Sequence, residues 1–442
     1  MPEGNPKATA ALIREATNRR EAGLRFYLNT SLLAFGLAAL STSLGQVILP
    51  FRVLDLAPES LKNTYLGILT FAGMAVAMAV QPAIGYLSDR GLLPGGRRRP
   101  YIIAGVGVAV VAAPLVGLAT SFAVLVIGVV LVQAGLNAAQ NPYDALIKDQ
   151  SPAEQRGRVS SVRAMAGAVG AVLLVVAAGV LMDGHSEGER DVWLWASLAL
   201  PVGLLLAVAA WTWATLREKE VGTGEVETGE IQKVEGAHPQ LGRLLAAGFL
   251  FALAGGVLQT YTLFFLRDVV GLENPASALG VLAAVVGGTV ALTLWPAGFL
   301  ADRVGRRPLL MASAAMGSAG SFLFLAATNL PQIMAIGVLM GAAVGIFMSA
   351  GRAMITDMVS RAKAAHQLGI ANLALLAGLA ASKGGGAAID GLNRWQDDLG
   401  YNALLAVCGA CFLAGGIMVA TLKAASPADE EGGLTHRSGA LL

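Results

Sequence analysis

Long apolar runs separated by short polar joints repeat along the whole chain, and each run has the length a membrane helix requires. A helix of about 20 mostly apolar residues crosses the hydrocarbon core of a bilayer. Runs of that length fall near 27–50, 63–87, 100–119, 122–145, 159–182 and 192–216, and again near 242–265, 275–300, 307–327, 331–355, 365–388 and 401–423. The pattern predicts an all-α membrane protein of twelve transmembrane helices. Most joints are short. The longest, 217–241, carries many Glu, Gly, Thr and Lys residues and no apolar run, so it is expected to be a cytoplasmic linker between two six-helix halves, 27–216 and 242–423. Residues 1–26 are a polar leading segment without the apolar stretch of a cleavable signal, so the first run is expected to act as the insertion signal and remain. Residues 424–442 read as a disordered tail.

Composition agrees with lipid as the solvent. Of 442 residues, 55% are hydrophobic and 14% charged, more apolar surface than a single aqueous core would hide. The charges also orient the chain. Of 31 Lys and Arg, only Arg52, Lys62, Arg190, Arg267 and Arg394 fall in joints on one side, and Lys383 lies within a run. The remaining 25 collect on the other side together with both termini. By the positive-inside rule that side is the cytoplasm, in the inner or plasma membrane. Basic residues confined to short loops give no surface for nucleic acid.

Two of the joints are alike. Gly85-Tyr86-Leu87-Ser88-Asp89-Arg90, closed by Gly96-Arg97-Arg98-Arg99-Pro100, follows the second run. Gly298-Phe299-Leu300-Ala301-Asp302-Arg303, closed by Gly305-Arg306-Arg307-Pro308, follows the eighth. The interval is 213 residues at Asp89 and Asp302, 209 at Gly96 and Gly305, and 208 at Asp149 and Asp357. Two charged landmarks held at nearly one spacing indicate a duplicated six-helix unit, with halves related by a pseudo-twofold axis along the membrane normal.

On these paired loops the chain resembles the major facilitator superfamily across essentially its whole length. The end of the fourth run, Asn137-x-x-Gln140-Asn141-Pro142-x-Asp144-Ala145-Leu146-Ile147-x-Asp149, is similar to the sucrose:proton symporters and the glycoside–pentoside–hexuronide:cation symporters. Gly96–Tyr101 and Glu154–Arg158 fit the same group. One position departs: plant sucrose carriers place an arginine where this chain has Asp144. The resemblance implies alternating access. It also implies that Asp89 faces the start of the eleventh span near Gln367–Ile370 and holds the halves shut on the cytoplasmic side. Arg97 or Arg98 is then expected to pair with Asp149, with Asp302, Arg306 and Asp357 repeating the arrangement and Arg90 completing the gate set. Arg99, Arg303 and Arg307 are read as topology anchors.

In that fold the first, fourth, seventh and tenth spans line the cavity. Gln133, Asn137, Gln140, Asn141 and Asp144 advance by three or four and form one polar face of the fourth. A polar stripe in a membrane helix faces protein or water, so it is either a substrate wall or glue to a neighbouring helix. Gln46 on the first span, and Gln259 and Tyr261 on the seventh, add amides and a hydroxyl suited to a hydroxyl-bearing solute. The 208 interval carries Asp144 onto Arg352 of the tenth span, a pseudo-symmetric pair expected to gate the cavity or couple transport to protons. Arg163 is expected either to neutralise Asp149 or Asp144 or to anchor the inner end of its span, and Lys383 to snorkel to the outer interface.

These features predict a monomeric secondary transporter that moves a small polar solute, a sugar or glycoside, with a proton or cation. Within transport the alternative is an exporter of amphiphilic drugs or lipids, which calls for more than the 6% aromatic residues present. From another class, a non-transporting receptor or assembly factor would have no use for two reversible latches. No nucleophile–base set, metal-ligand spacing or phosphate loop marks an enzyme or implies a cofactor, and Cys408 and Cys411 read as packing residues in an apolar run.

Overall fold

A computed structural model describes residues 27–91, 94, 96–151, 155–186, 190–215, 239–358 and 364–422. The expected leading segment and tail, and nearly all of the linker, lie outside these residues. The described chain is all helix, with no strand. Helix α1 spans Tyr27–Leu56, α2 Lys62–Arg90, α3 Arg99–Leu118, α4 Phe122–Gln150, α5 Arg156–Ser186 and α6 Arg190–Thr215. The second half follows with α7 Pro239–Asp268, α8 Pro275–Val304, α9 Arg306–Phe324, α10 Leu330–Met358, α11 Ala364–Ser382, α12 Gly385–Asn393 and α13 Leu399–Ala420.

Ten of these, α1–α8, α10 and α13, are long and apolar enough to cross a membrane. Helix α9 opens on Arg306 and Arg307, and Ser313, Ser318 and Ser321 dilute its apolar run. The single run expected at 365–388 is broken. Helix α11 ends at Ser382, a turn holds Lys383 and Gly384, and α12 carries the chain on to Asn393. Tyr261 of α7 sits in the break, where its hydroxyl donates to the Lys383 carbonyl at 2.7 Å and accepts from the Gly386 amide at 2.8 Å. In lipid a broken helix must find internal partners for its freed backbone groups, and one phenol supplies both.

Each half repeats the same packing. Helix α2 packs on α4 as α8 packs on α10, α3 on α4 as α9 on α10, and α3 on α6 as α9 on α13. The α3–α4 crossing is close because two glycines face each other. A Cβ on Gly105 would lie 2.5 Å from the Ala139 nitrogen, and one on Gly135 would lie 2.5 Å from the Ala109 nitrogen. Such small residues let membrane helices approach backbone to backbone. A shared apolar core runs through both halves, including Leu40, Ile48, Val129, Leu136, Phe264 and Phe412. Outward faces carry Val111, Leu292, Trp295 and Ile417, all exposed and suited to acyl chains.

The halves meet mainly through α5 against α8 and α2 against α12. The end of the molecule that carries Asp89 and Asp302 is called here the loop end, and the opposite end, where α2 and α8 begin, the far end.

Candidate functional site

The polar face of α4 divides into two rows with different partners. Gln133, Asn137 and Asn141 lie against α2. The Gln81 amide donates to Asn137 Oδ1 at 2.7 Å, Asn141 Nδ2 donates to the Gln81 carbonyl at 2.6 Å, and Asn137 Nδ2 donates to the Gln133 carbonyl at 2.8 Å. Gly73 and Gly85 of α2 leave room for Gln133 and Asn141. The hydrogen bonds of this row tie α4 to α2. Gln140 and Asp144, on the same side of the helix, have other partners. Gln140 Nε2 donates to Asp144 Oδ1 at 2.9 Å, and the Asp144 carboxylate pairs with the Arg163 guanidinium.

Asp144 and Arg163, with Ile147, Ser151, Arg156 and Ser160, line a cavity of about 290 Å³ between α4 and α5. Both charges are partly exposed, so the pair is wetted rather than sealed, and such a pair contributes little net stability while fixing two side chains at the cavity wall. Arg163 partners Asp144, one of the two acids that the sequence offered it. Arg352 is exposed, and the ion pair that Asp144 makes lies within its own half.

Gln46 lies, half-buried, in a π-helical turn at Leu44–Ile48 of α1, and this turn packs against α5, α6 and α7. A π turn inserts an extra residue into the helical register and turns side chains away from the ordinary row, a device frequent at functional sites. On α7, Gln259 is exposed, whereas Tyr261 is buried in the α11–α12 break. Thr260 accepts a hydrogen bond at 2.5 Å from Lys383 Nζ, and Lys383 makes no ion pair among the described residues. The ammonium expected to snorkel outward is instead held against α7.

At the loop end, Asp89 pairs with Arg98 at 2.6 Å and stands 3.7 Å from Arg97; Arg98 also takes Asp149 at 3.6 Å and donates to Ser88 Oγ at 2.9 Å. The expected link from the arginine pair to Asp149 is therefore carried by Arg98, and the ion pairs of Asp89 stay inside its own half. Arg90 stacks on Tyr86 at 4.2 Å and Arg303 on Phe299 at 4.3 Å, the same contact at the same 213 interval. Asp302 is exposed, and Arg306 donates to the Ala353 carbonyl. The side chain of Asp357 lies outside the described residues. Arg99 donates to the Trp213 carbonyl and Arg307 to the Ala420 carbonyl, so each puts a cation at the C-terminus of the last helix of its half, where the helix dipole favours it.

Residues that sequence reasoning passed over join the halves at the far end. Asp183 of α5 accepts from the Ala276 and Ser277 amides of α8. Asp390 of α12 accepts from Asn63 Nδ2 and from the Thr64 amide and hydroxyl of α2. Tyr401 donates to Asp268, Asp268 pairs with Lys62 at 2.8 Å, and Glu59 bridges Lys62 and Arg267 at 2.6 and 3.3 Å.

The arrangement matches known proteins in sequence and shape. Residues 31–376 match the family model described as MFS/sugar transport protein. Uncharacterised proteins of Mycobacterium bovis and Mycobacterium tuberculosis are 26% identical over 363 residues, covering 81% of this chain and 84% of theirs. Among solved structures, a bacterial homologue of the human lysosomal transporter Spinster, captured inward-facing and unoccupied, is similar with a TM-score of 0.62 at 20% identity, over 90% of this chain and 93% of that one. The nucleoside transporter NupG is similar with a TM-score of 0.65 at 13% identity, over 90% of this chain and all of its own. The chain belongs to the MFS/sugar transport protein family and is a multi-pass membrane transporter, not an enzyme.

Proposed function

We propose that the chain is a monomeric secondary transporter of twelve spans in the inner or plasma membrane. Helix α9 and the α11–α12 pair supply the two spans beyond the ten, and both termini are cytoplasmic. It moves a small hydroxyl-bearing solute, a sugar or glycoside, by alternating access in company with a proton or another cation. The observation that carries this reading is the Gln140–Asp144–Arg163 cluster at the wall of a cavity of about 290 Å³. Intramembrane charges persist where substrate or ion moves, and a carboxylate that can exchange a guanidinium for a proton supplies a coupling site. Gln46 and Gln259 add amides for hydroxyl groups. The gate set Asp89, Arg90, Arg97, Arg98, Asp149, Asp302, Arg306 and Asp357 closes the loop end in the opposite state. Arg352 then approaches the Asp144 wall.

Uptake by the purified chain in liposomes, over a panel of sugars, glycosides and nucleosides with and without a pH gradient, tests the reading. The expected result is accumulation of one hydroxyl-rich solute that collapses with the gradient, and loss of gradient-driven accumulation in Asp144→Asn while solute exchange at equal pH continues. Efflux of dyes with no sugar accumulated would replace it by the exporter reading.

A further inference from the structure

The far-end hydrogen bonds between the halves obey the same duplication as the loops. Thr64 and Ser277 are 213 residues apart, as are Gly67 and Gly280, and that is the interval between Asp89 and Asp302. Gly179 and Gly386 are 207 apart, as are Asp183 and Asp390. A second repeated motif is therefore present in two parts. Thr/Ser-x-Leu-Gly opens α2 and α8, and Gly-x-x-x-Asp lies in α5 and α12.

The parts meet crosswise between the halves. Asp183 Oδ1 accepts from the Ala276 amide at 3.0 Å and Oδ2 from the Ser277 amide at 2.7 Å, in the first turn of α8. Asp390 Oδ2 accepts from the Thr64 amide at 2.6 Å and its hydroxyl at 2.7 Å, and Oδ1 from Asn63 Nδ2 at 2.9 Å, in the first turn of α2. First-turn amides have no acceptor inside their own helix, and the helix dipole adds to their pull on an anion. Both carboxylates are buried, 6% and 4% exposed. The glycines set the spacing. A Cβ on Gly179 would lie 2.4 Å from the Ala276 carbonyl oxygen, and one on Gly386 2.0 Å from that of Asn63. On Gly67 it would lie 2.3 Å from the Lys383 carbonyl oxygen, and on Gly280 2.8 Å from Val176 Cα.

We infer that Asp183 with the α8 N-terminus, and Asp390 with the α2 N-terminus, form a symmetric pair of latches that closes the far end. Both must release for that end to open. The inference rests on the alternating-access reading above and names the residues that hold one of its two states. Backbone amides suit a latch that is remade on every cycle, because their direction is fixed by the helix and they re-form in one register. On release the carboxylate and the amides both turn to water, so neither state strands an unpaired group. Asp183 and Asp390 are positioning residues and need not touch the solute. The α2–α12 latch is extended by Asn63, Tyr401, Asp268 and Lys62, which joins it to the ends of α7 and α13.

Spin labels on the full chain in nanodiscs, with Cys408→Ala and Cys411→Ala, test it. One pair, Ser60→Cys with Gln396→Cys, spans the far end, and another, Ser160→Cys with Thr356→Cys, spans the loop end. Asp183→Asn and Asp390→Asn are each expected to raise the open-to-closed ratio at the far end about tenfold, the effect of losing one charge-assisted hydrogen bond. The double variant should go further, while the loop-end distance shortens. Gly179→Leu, which wedges the same contact without altering charge, should act in the same direction. Unchanged distances in folded Asn variants, or a lower melting temperature with no shift in either distance, would overturn the inference. If the Asn variants do not fold, Thr64→Ala removes one donor to Asp390 and is read the same way. Distances that shift in a chain that accumulates none of the solutes would leave the latches standing and remove the substrate reading instead.

Discussion

Asp144 and Arg163 show how a charge is tolerated inside a membrane protein: each is the other's counter-ion, and water reaches both. With both side chains partly exposed, water screens whichever charge is left when its partner is removed, so the pair couples weakly. Arg163→Gln and the Arg163→Gln, Asp144→Asn double variant are therefore expected to have similar melting temperatures, a small coupling that thermal unfolding in detergent measures directly. A second residue carries a pH signature. Asp398, in the loop before α13, has a left-handed backbone with φ of 62°, and burial, with Asp268 and Asp397 nearby, raises its carboxyl pKa. An acid whose pKa rises on folding holds its proton more tightly in the folded chain. Its ionisation therefore subtracts stability above the folded pKa, and the deficit fades as the pH falls through the carboxylate range. Asp398→Asn tolerates the same backbone without the charge. It should raise the melting temperature at about pH 7, by an amount that shrinks in acid.

Helices supply the next scale, and here sequence periodicity was informative but incomplete. Length and apolar content located the long helices but ran α11 and α12 together as one. Spacing by three and four put Gln133, Asn137, Gln140, Asn141 and Asp144 on one side of α4. It had no means to separate the row that faces α2 from the row that faces α5, because the two lie only a fraction of a turn apart and differ in partner, not in pattern. The break between α11 and α12 was equally hidden, since Ala, Gly and Ile continue the apolar run across it. Lys383 with Gly384-Gly385-Gly386 is the local sign, and the group that stabilises the break, the Tyr261 hydroxyl, comes from another helix. Tyr261→Phe keeps the ring and strips both backbone groups of their partner. An unsatisfied buried group costs about 1–3 kcal/mol, so a clear fall in melting temperature is expected without any solute present. Unaltered stability would return Tyr261 to the role of a solute ligand alone.

Across the whole molecule, the repeat of the charged loops was legible and the repeat at the far end was not. Asp89 and Asp302 stand in polar surroundings that draw the eye. Asp183 and Asp390 sit at the ends of apolar helices, among glycines that look like ordinary helix-packing residues. The constant intervals of 213 and 207 residues lie in the sequence, and the hydrogen bonds between the halves are what give them physical meaning. Sidedness is part of the proposed function. With the basic loops in the cytoplasm, Ser60 faces outward and Ser160 inward. A membrane-impermeant thiol reagent applied to intact cells should label Ser60→Cys and spare Ser160→Cys, and inverted vesicles should reverse the result.

The crosswise meeting of the two motif parts bears on ancestry. One half carries a hook in α5 and an eye in α2, and the other carries a hook in α12 and an eye in α8. A half-length chain with one hook and one eye would already be complementary to a second copy of itself, through two identical contacts about a twofold axis. Fusion of the two copies would then have added a linker without inventing an interface. Thereafter each side was free to diverge, as the extra partners around Asp390 record.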